Sequence, residues 1–377
     1  MDFTLNADER EIQSLARDFA RREIVPVAAE YDERAVFPHA VVEKARNLQL
    51  MNLGVPVEYE GSGLGALAIA VVAEELAWGC AGIAACILLN DLVALPLLLT
   101  GTSGQRAKYL SLLADGFGSY ALTEPDAGSD AAAIGSLAAR TAGGYRLTGR
   151  KTWISHAPEA TFFVVFAKTD PAAGSRGISA FLVDRDLPGV SVAKPLPKTG
   201  QRASSAAEVT FTDVLLPREA LLGAEGEGFT LAMRVFDRSR PMVAAFGVGV
   251  AQRALDEAVG YATRREAFGR KIKSHQGIGF KLAEMGMRAE AARLLTHKAA
   301  WQVDAGQPNT LEAAYAKAFA ADSAMWAAIE AVQVFGGYGY SQEYPVEKLM
   351  RDAKVLQIYE GTSEIQRTIM VRQLTGG

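Results

Sequence analysis

Residues 162–167 read Phe-Phe-Val-Val-Phe-Ala, a short run of aromatic and β-branched residues that is typical of a buried strand. Two runs of the same kind follow at residues 178–183 and 208–211, and glycine and proline residues mark the turns between them. This strand-rich texture extends over residues 119–217. It indicates a small β domain in the middle of the chain.

On both sides of these strands the apolar residues recur with the period of a helix. The first helical run carries Ile12, Leu15 and Phe19 at three- and four-residue steps. The later, alanine-rich stretches cover residues 229–264, 275–306, 309–336 and 364–374. The order of helices, strands and helices predicts a mainly α fold with a small β domain. The predicted limits are 1–118 for an N-terminal helical domain, 119–222 for the β domain and 223–377 for a C-terminal helical bundle.

The composition is that of an ordinary globular protein. The 377 residues are 49% hydrophobic and 22% charged, and this length suggests two or three compact units. A net charge of −4 gives no electrostatic reason to expect binding to nucleic acid or to an anionic membrane. The most apolar stretch, residues 83–99, is interrupted by Asn90, Asp91 and Pro96, which favours a buried helix pair over a membrane span.

The cysteines, histidines and glycines do not suggest a metal site or a Rossmann unit. Cys80 and Cys86 lie six residues apart in an apolar helical context and would point to different faces, so we expect two buried thiols. The four histidines show no metal-binding spacing. The nearest match to GxGxxG, Gly247-Val248-Gly249, lies within a helical stretch and lacks the third glycine.

The clearest candidate for a catalytic group is a carboxylate near the C-terminus. Residues 359–367 read YEGTSEIQR, so Glu360 stands between an aromatic residue and a glycine. Thr362 and Ser363 can cap the helix that the periodicity from Ile365 onwards predicts. Such a turn can direct a carboxylate into a pocket, while the amides at the helix start hold a polar or anionic group beside it.

Together with two further motifs, this segment resembles the acyl-CoA dehydrogenase family of flavoenzymes. The motifs are TEPDAGSD at residues 123–130 and QVFGGYGY at residues 333–340, and the resemblance extends over nearly the whole chain, in particular to the short- and medium-chain branch. It implies an N-terminal helical domain, a central β-barrel or sandwich-like domain and a C-terminal four-helix bundle. It also implies FAD as the cofactor and assembly as a homotetramer.

The resemblance implies FAD-dependent α,β-dehydrogenation of an acyl-CoA thioester to the trans-2-enoyl-CoA. A base must remove the α-proton and an acceptor must take the β-hydride, and no amino acid accepts hydride. Glu360 is the implied base. Poor solvation beside Tyr359, Ile358 and Leu88 would raise its pKa. A minority of the family place the base on the first helix of the C-terminal bundle, where this chain has Ser239.

The resemblance also implies the binding residues. Thr123 would donate to a flavin edge, Trp153 would lie against the isoalloxazine, and Ser155 would lie near its N5. The implied FAD contacts are Tyr120, Leu122, Thr123, Ser129, Trp153, Ile154, Ser155, Arg265, Phe268, Gln276, Gln333, Gly336, Gly337, Thr362 and Glu364. The implied substrate contacts are Ser129, Asp237, Arg240, Tyr359 and Gly361. Without the family, the i, i+3 spacing of Asp237 and Arg240 would indicate only a solvated ion pair.

The chain departs from the family pattern at several places. Ser155 replaces a common threonine and keeps the hydroxyl, whereas His156 stands where asparagine is common. Leu88 stands where the medium-chain type carries a glutamate at the pocket floor, and the loop at residues 170–177 is shorter. The length of the acyl chain therefore stays open, with a straight aliphatic chain as the expectation.

The leading hypothesis is an acyl-CoA dehydrogenase that passes its electrons to electron-transfer flavoprotein, and three alternatives stand beside it. The same fold can act on an acyl-carrier-protein thioester, or it can use oxygen as an oxidase. A non-catalytic flavoprotein or assembly factor would show itself by loss of the base, and Glu360 is present. The start of the sequence has no secretory signal, which favours a cytoplasmic, bacterial enzyme; a mature mitochondrial matrix protein would have the same features.

Overall fold

The computed structural model describes residues 4–376; the first three residues and the last, which the predicted domain limits include, lie outside this range. The N-terminal part of the chain is helical. Its first helix begins at a capping box, in which Asn6 and Glu9 each accept a hydrogen bond from the other's backbone amide. The helices of this part are α1 (Ala7–Phe19), α2 (Ala28–Arg34), α3 (His39–Asn47), α4 (Ala66–Thr100) and α5 (Ser103–Asp115).

Helix α4 is apolar on nearly all faces and forms the centre of the N-terminal part. Its backbone is non-helical at Cys80 (φ −168°, ψ 116°), so two helical segments meet there at a kink. The expectation of a helix pair within residues 83–99 is therefore wrong, because these residues all lie in the second segment. By length and composition α4 could cross a membrane, but 78% of its most apolar window is buried inside the protein.

The middle of the chain forms a mixed eight-stranded sheet. Its strands are β1 (Phe117–Ala121), β2 (Leu137–Thr141), β3 (Gly144–Ser155), β4 (Ala160–Lys168), β5 (Ile178–Asp184), β6 (Val190–Val192), β7 (Ala206–Pro217) and β8 (Leu221–Leu222). The order is β6-β7-β3-β2-β4-β5-β8, and β1 pairs in parallel with β4. The three predicted strands lie within β4, β5 and β7.

Both faces of β4 are buried. Phe162, Val164 and Phe166 pack into a cluster shared with helices α4 and α5. Phe163 and Val165, which point to the opposite face, pack with residues of β3, β5 and β7. A strand buried on both faces reads as a continuous apolar run, and this is why the sequence of β4 shows no polar alternation.

The C-terminal part is a bundle in which α6 packs against α4, α7 and α8. Its helices are α6 (Gly228–Arg264), α7 (Gln276–Asp304), α8 (Thr310–Phe335), α9 (Pro345–Leu356) and α10 (Ser363–Thr375). A short ribbon, β9 (Glu266–Ala267) and β10 (Arg270–Lys271), connects α6 to α7. The predicted fold class, mainly helical with a β domain in the middle, is confirmed.

Two glycines of α6 let its neighbours approach closely. A Cβ atom at Gly249 would lie 2.3 Å from the carbonyl oxygen of Glu74 on α4. A Cβ atom at Gly247 would lie 2.8 Å from the carbonyl carbon of Ala320 on α8. The Gly247-Val248-Gly249 sequence is therefore a helix-packing element.

Gly249→Ala is expected to lower the free energy of unfolding by about 1–3 kcal/mol, because the added methyl overlaps the backbone of α4. Gly260→Ala on the same helix is the matched control. A Cβ there meets only the Arg264 side chain, at 3.8 Å, so better helix propensity should stabilise the protein by up to about 1 kcal/mol. Thermal denaturation compares the two variants, and equal midpoints would contradict this account of the α4–α6 contact.

Candidate active site

Glu360 lies in the turn between α9 and α10. Thr362 caps α10 by accepting a hydrogen bond from the Ile365 amide at 3.2 Å, as the sequence predicts. Glu360 and Gly361 both have positive φ, at 52° and 88°. The left-handed region is unfavourable for a glutamate, so contacts from outside the turn must hold it there.

Three side chains from three helices hold this turn through its carbonyl oxygens. Gln366 Nε2 on α10 donates to the carbonyls of Glu360 (3.1 Å) and Gly361 (3.0 Å). Lys317 Nζ on α8 donates to the Gly361 carbonyl at 2.7 Å. Arg240 Nε on α6 lies 3.5 Å from the Glu360 carbonyl. The position of Glu360 is thus fixed by the packing of the bundle.

The carboxylate of Glu360 accepts a hydrogen bond from a residue on α6. Ser239 Oγ donates to Glu360 Oε2 at 2.8 Å. Burial raises the pKa of Glu360, while the Ser239 hydrogen bond and the charges of Arg240 and Lys317 oppose the rise. Ile358, contrary to expectation, is half exposed and does not provide this burial. A carboxylate with a raised pKa is suited to act as a general base.

Asp237 and Arg240 form an ion pair on α6, with Oδ1 and Nη1 separated by 3.1 Å. Arg240 is buried, so the interpretation as a solvated surface pair is wrong. Thr310 Oγ1 donates to the second oxygen of Asp237 at 2.6 Å, which ties the pair to the start of α8. The pair therefore orients the guanidinium toward the carbonyl of Glu360.

The TEPDAGSD motif and the KTWIS motif (residues 151–155) are joined at the C-terminal end of β3. The buried Lys151 Nζ binds Glu124 Oε1 at 2.7 Å and the Leu122 carbonyl at 3.0 Å. The amide of Thr152 donates to the Thr123 carbonyl at 3.0 Å. These bonds place Thr123 directly beside β3.

Trp153 stands on an irregularity of β3. The register of β3 against β7 shifts between Lys151 and Ile154, and Trp153 has a φ of 58° there. The indole is consequently 57% exposed, whereas Ile154 is buried. Ser155 follows, and its carbonyl accepts a hydrogen bond from Ser119 Oγ at 2.9 Å. An exposed indole at the end of β3 suits one wall of a site for a planar ring.

Tyr120 lies between the sheet and the turn that carries Glu360. Its ring lies 5.0 Å from that of Phe166 and 5.8 Å from that of Phe236 on α6, measured between centroids. Burial, followed by the nearby charge of Glu360, raises the pKa of Tyr120 well above its usual value. Leu122 is buried close by along the chain, and Ser129 is exposed in the turn that follows.

Another group of the predicted residues lines a groove between the ends of α6, α7 and α8, with a volume of about 790 Å³. Arg265, Phe268, Gly336 and Gly337 all line it. Phe268 is 95% exposed, and a Cβ at either glycine would meet nothing within 4 Å. A guanidinium, an exposed ring and bare backbone fit the diphosphate and adenine of FAD.

The remaining predicted cofactor residues lie outside the groove lining. Gln276 and Gln333 are exposed, and each is next in sequence to a residue that lines the groove. Thr362 and Glu364 lie at the start of α10, beside Glu360. The structure thus separates the predicted residues into sets around Glu360, around Trp153 at the end of β3, and around the groove.

Three of the residues that hold Glu360 were not predicted from the sequence as its partners. In the sequence, Ser239 stands out only because some members of the family place the base at this position. In the structure, its hydroxyl binds the carboxylate of Glu360. Lys317 and Gln366 hold the turn and are not predicted at all. The available signal for Lys317 was a lone lysine inside the alanine-rich stretch AKAFAAD at residues 316–322.

His156 is buried between aromatic rings. Its ring lies 5.4 Å from that of Phe37 and 5.3 Å from that of Phe117, between centroids. Neither ring nitrogen has a hydrogen-bond partner within the described residues 4–376. Burial, with a smaller effect of the Lys198 charge, lowers the pKa of His156 to about 3. The imidazole is therefore neutral in the folded protein.

This histidine is expected to make the protein less stable in acid. Between its unfolded pKa of 6.5 and its folded pKa of about 3, the unfolded chain binds a proton that the native chain does not. Stability falls as the pH drops through this window, by about 2 kcal/mol between about pH 7.5 and pH 5. His156→Asn should remove this contribution to the pH dependence of the free energy of unfolding. Urea unfolding midpoints at the two pH values measure the difference. An unchanged pH dependence in His156→Asn would contradict the buried neutral state.

Comparisons with known proteins identify the family of the chain. Family models described as the N-terminal, middle and C-terminal domains of acyl-CoA dehydrogenase match residues 6–117, 119–214 and 226–375. A short-chain specific acyl-CoA dehydrogenase of Clostridium acetobutylicum is 40% identical over 373 residues, which are 98% of each chain.

Solved structures agree as well. Butyryl-CoA dehydrogenase from Megasphaera elsdenii is 39% identical, with a TM-score of 0.95 over 100% of both chains. A chain in a structure described as electron transferring flavoprotein of Acidaminococcus fermentans is 39% identical, with a TM-score of 0.95 over 99% of both chains. An FAD complex of PigA is 30% identical, with a TM-score of 0.95 over 100% of this chain and 99% of the other. The chain therefore belongs to the acyl-CoA dehydrogenase family of FAD-containing oxidoreductases.

Proposed function

We propose that the protein oxidises a short-chain acyl-CoA to its trans-2-enoyl-CoA, with Glu360 as the base that removes the α-proton. The observation that carries this proposal is the partly buried carboxylate of Glu360, held in a left-handed turn by side chains from three helices. Its raised pKa, caused by burial, suits proton abstraction from a weak carbon acid.

The chain's residues have separate tasks in this reaction. Glu360 takes one proton from the α-carbon, and the Ser239 hydrogen bond holds Oε2 so that Oε1 can receive it. The groove residues together with Thr123, Trp153 and Ser155 would hold FAD, which when bound would supply the acceptor for the hydride from the β-carbon. Loss of the proton and the hydride leaves a double bond between the two carbons. The ring of Tyr120, which packs 5.8 Å from that of Phe236 between centroids, lies near the carboxylate.

A short acyl chain is favoured by two observations. Leu88 is fully buried on α4, so an apolar side chain occupies the position that carries the pocket-floor glutamate in the medium-chain type. The relative from Clostridium acetobutylicum is short-chain specific, and the structural neighbour from Megasphaera elsdenii is a butyryl-CoA dehydrogenase. We therefore expect butanoyl-CoA to be a better substrate than octanoyl-CoA.

Anaerobic titration of the purified protein with straight-chain acyl-CoAs tests the function. Loss of the oxidised flavin absorbance with butanoyl-CoA, weaker with longer chains, is the expected result. If an acyl-carrier-protein thioester bleaches the flavin and no acyl-CoA does so, the assignment of CoA as the carrier of the substrate is wrong. A flavin that neither thioester bleaches would point to a non-catalytic flavoprotein.

The proposed electron acceptor is electron-transfer flavoprotein, since a similar chain occurs in the structure from Acidaminococcus fermentans. Mixing the reduced protein with such a flavoprotein should restore the oxidised spectrum much faster than air does. Rapid reoxidation in air with stoichiometric hydrogen peroxide would instead identify an oxidase. By analogy with the bacterial relatives, we place the protein in the cytoplasm.

We also propose assembly as a homotetramer. Helix α7 carries four exposed apolar side chains at seven-residue intervals, here called the α7 stripe: Phe280, Met287, Leu294 and Trp301. Residues seven apart lie on one face of a helix, and exposed apolar side chains gathered on one face are typical of an interface between subunits. The adjoining FAD groove has the exposed Phe268 at its edge, which suits completion by a second subunit.

A further inference from the structure

Lys317 on α8 is a buried cation that has no role in the proposed reaction as described so far. The residue is 1% exposed. Its neighbours along the helix are the buried alanines Ala313, Ala314, Ala316, Ala318, Ala320 and Ala321. An ammonium group in such surroundings loses its hydration, which is unfavourable unless hydrogen bonds or opposite charges replace it.

The hydrogen bond of Lys317 goes to the backbone of the catalytic turn. Its Nζ donates to the Gly361 carbonyl at 2.7 Å. The nearby carboxylate of Asp322 is bound by other donors, including Ser363 Oγ at 2.8 Å and Arg367 Nη2 at 2.7 Å. The lysine is therefore directed at the residue that follows Glu360.

Charged groups face Lys317 from several elements. Glu360 in the turn, Asp322 on α8 and Glu364 on α10 favour its protonated form, whereas Arg240 on α6 disfavours it. Burial is the largest effect, and it lowers the pKa of Lys317 to about 8. The interaction is reciprocal, since the charge of Lys317 favours the ionised form of Glu360.

Within the described residues 4–376, the other groups named around Glu360 and Lys317 do not supply a charge that titrates in the same range; the pKa values of Asp322 and Glu364 are lowered by their hydrogen bonds. Arg240 is always protonated. Tyr120 on β1 and Tyr359 in the turn stay neutral, because burial raises the pKa of both hydroxyls. Lys317 is therefore the group beside Glu360 whose charge can change near neutral pH.

We propose that Lys317 is a positioning residue for the dehydrogenation: it holds Glu360 in its left-handed turn through the Gly361 carbonyl, and its ammonium charge stabilises the Glu360 carboxylate. This role rests on the proposed function of Glu360 as the base. It accounts for a cation at a buried alanine-rich position and for the backbone target of its hydrogen bond.

Lys317→Met and Lys317→Gln separate the two parts of this role. Methionine removes both the donor and the charge, whereas the glutamine amide can still donate to a carbonyl but carries no charge. We expect kcat to fall by about 10- to 100-fold in Lys317→Met, because the carboxylate is displaced, and less in Lys317→Gln. In both variants the acid limb of the pH profile of kcat/KM should move to higher pH, since Glu360 loses a stabilising charge.

The pH profile distinguishes this role from a merely structural one. Circular dichroism and FAD content identify variants that do not fold, and the glutamine variant carries the test if the methionine variant fails to fold. An acid limb unchanged from the wild type in a folded variant would overturn the role of Lys317. Glu360→Gln separates the two proposals: its full activity would overturn the function of Glu360 itself, whereas inactivity of Glu360→Gln with an unshifted Lys317→Gln profile would overturn only the present one.

Discussion

Glu360→Gln is expected to leave a folded, FAD-containing protein whose flavin is no longer reduced by acyl-CoA. The amide can still accept the hydrogen bond from Ser239, so the turn should keep its shape, but it cannot take a proton at the α-carbon. General-base catalysis contributes up to about 10⁴-fold, so the rate of flavin bleaching should fall by about that factor. Anaerobic stopped-flow absorbance measures the rate.

The matched control for this variant is Glu343→Gln. Glu343 is an exposed glutamate in the segment before α9, and it has no part in the site. Its replacement makes the same chemical change and should leave the bleaching rate unchanged. A Glu360→Gln protein that bleaches at a rate within a few-fold of this control would exclude Glu360 as the base.

Met287→Asp combined with Leu294→Asp is expected to break the tetramer and release FAD. These side chains are 61% and 43% exposed at the centre of the α7 stripe, so the charges can be solvated in an isolated subunit. In an assembled interface they would be buried without partners, which costs several kcal/mol for each carboxylate. Light scattering should show a smaller particle, and the ratio of flavin to protein should fall.

Val57→Asp provides the control for this double variant. Val57 is 73% exposed in a short turn of the N-terminal part and is not a member of the α7 stripe. This variant should keep both the mass and the flavin content of the wild type. A double variant that remains tetrameric would show that subunits do not meet through the α7 stripe, and FAD retained by a smaller particle would show that the groove binds it without a second subunit.

Much of the fold could be predicted because local signals mark its elements. The long helices of the bundle are alanine-rich, and the predicted limits of 229–264 and 309–336 agree with Gly228–Arg264 and Thr310–Phe335 to within one residue. The kink of α4 at Cys80 could not be predicted, because α4 is apolar on every face and shows no change of period there.

The site could be predicted only where its residues are neighbours in the sequence. The cap of α10 by Thr362 follows from spacing alone. The hydrogen bond from Ser239 to Glu360 joins residues 121 positions apart, and that from Lys317 to Gly361 joins residues 44 apart. Contacts of this kind depend on how α6 and α8 pack against the turn, and no local pattern in the sequence records that packing.

The most direct test of Glu360 as the base is exchange of the α-protons of acetyl-CoA in D₂O. Acetyl-CoA has α-hydrogens but no β-carbon, so it can lose a proton to the enzyme without transferring hydride. Mass spectrometry should show deuterium entering the acetyl group with the wild-type protein and no incorporation above background with Glu360→Gln. Equal incorporation with both proteins would mean that another group removes the α-proton, and it would contradict the account of this site.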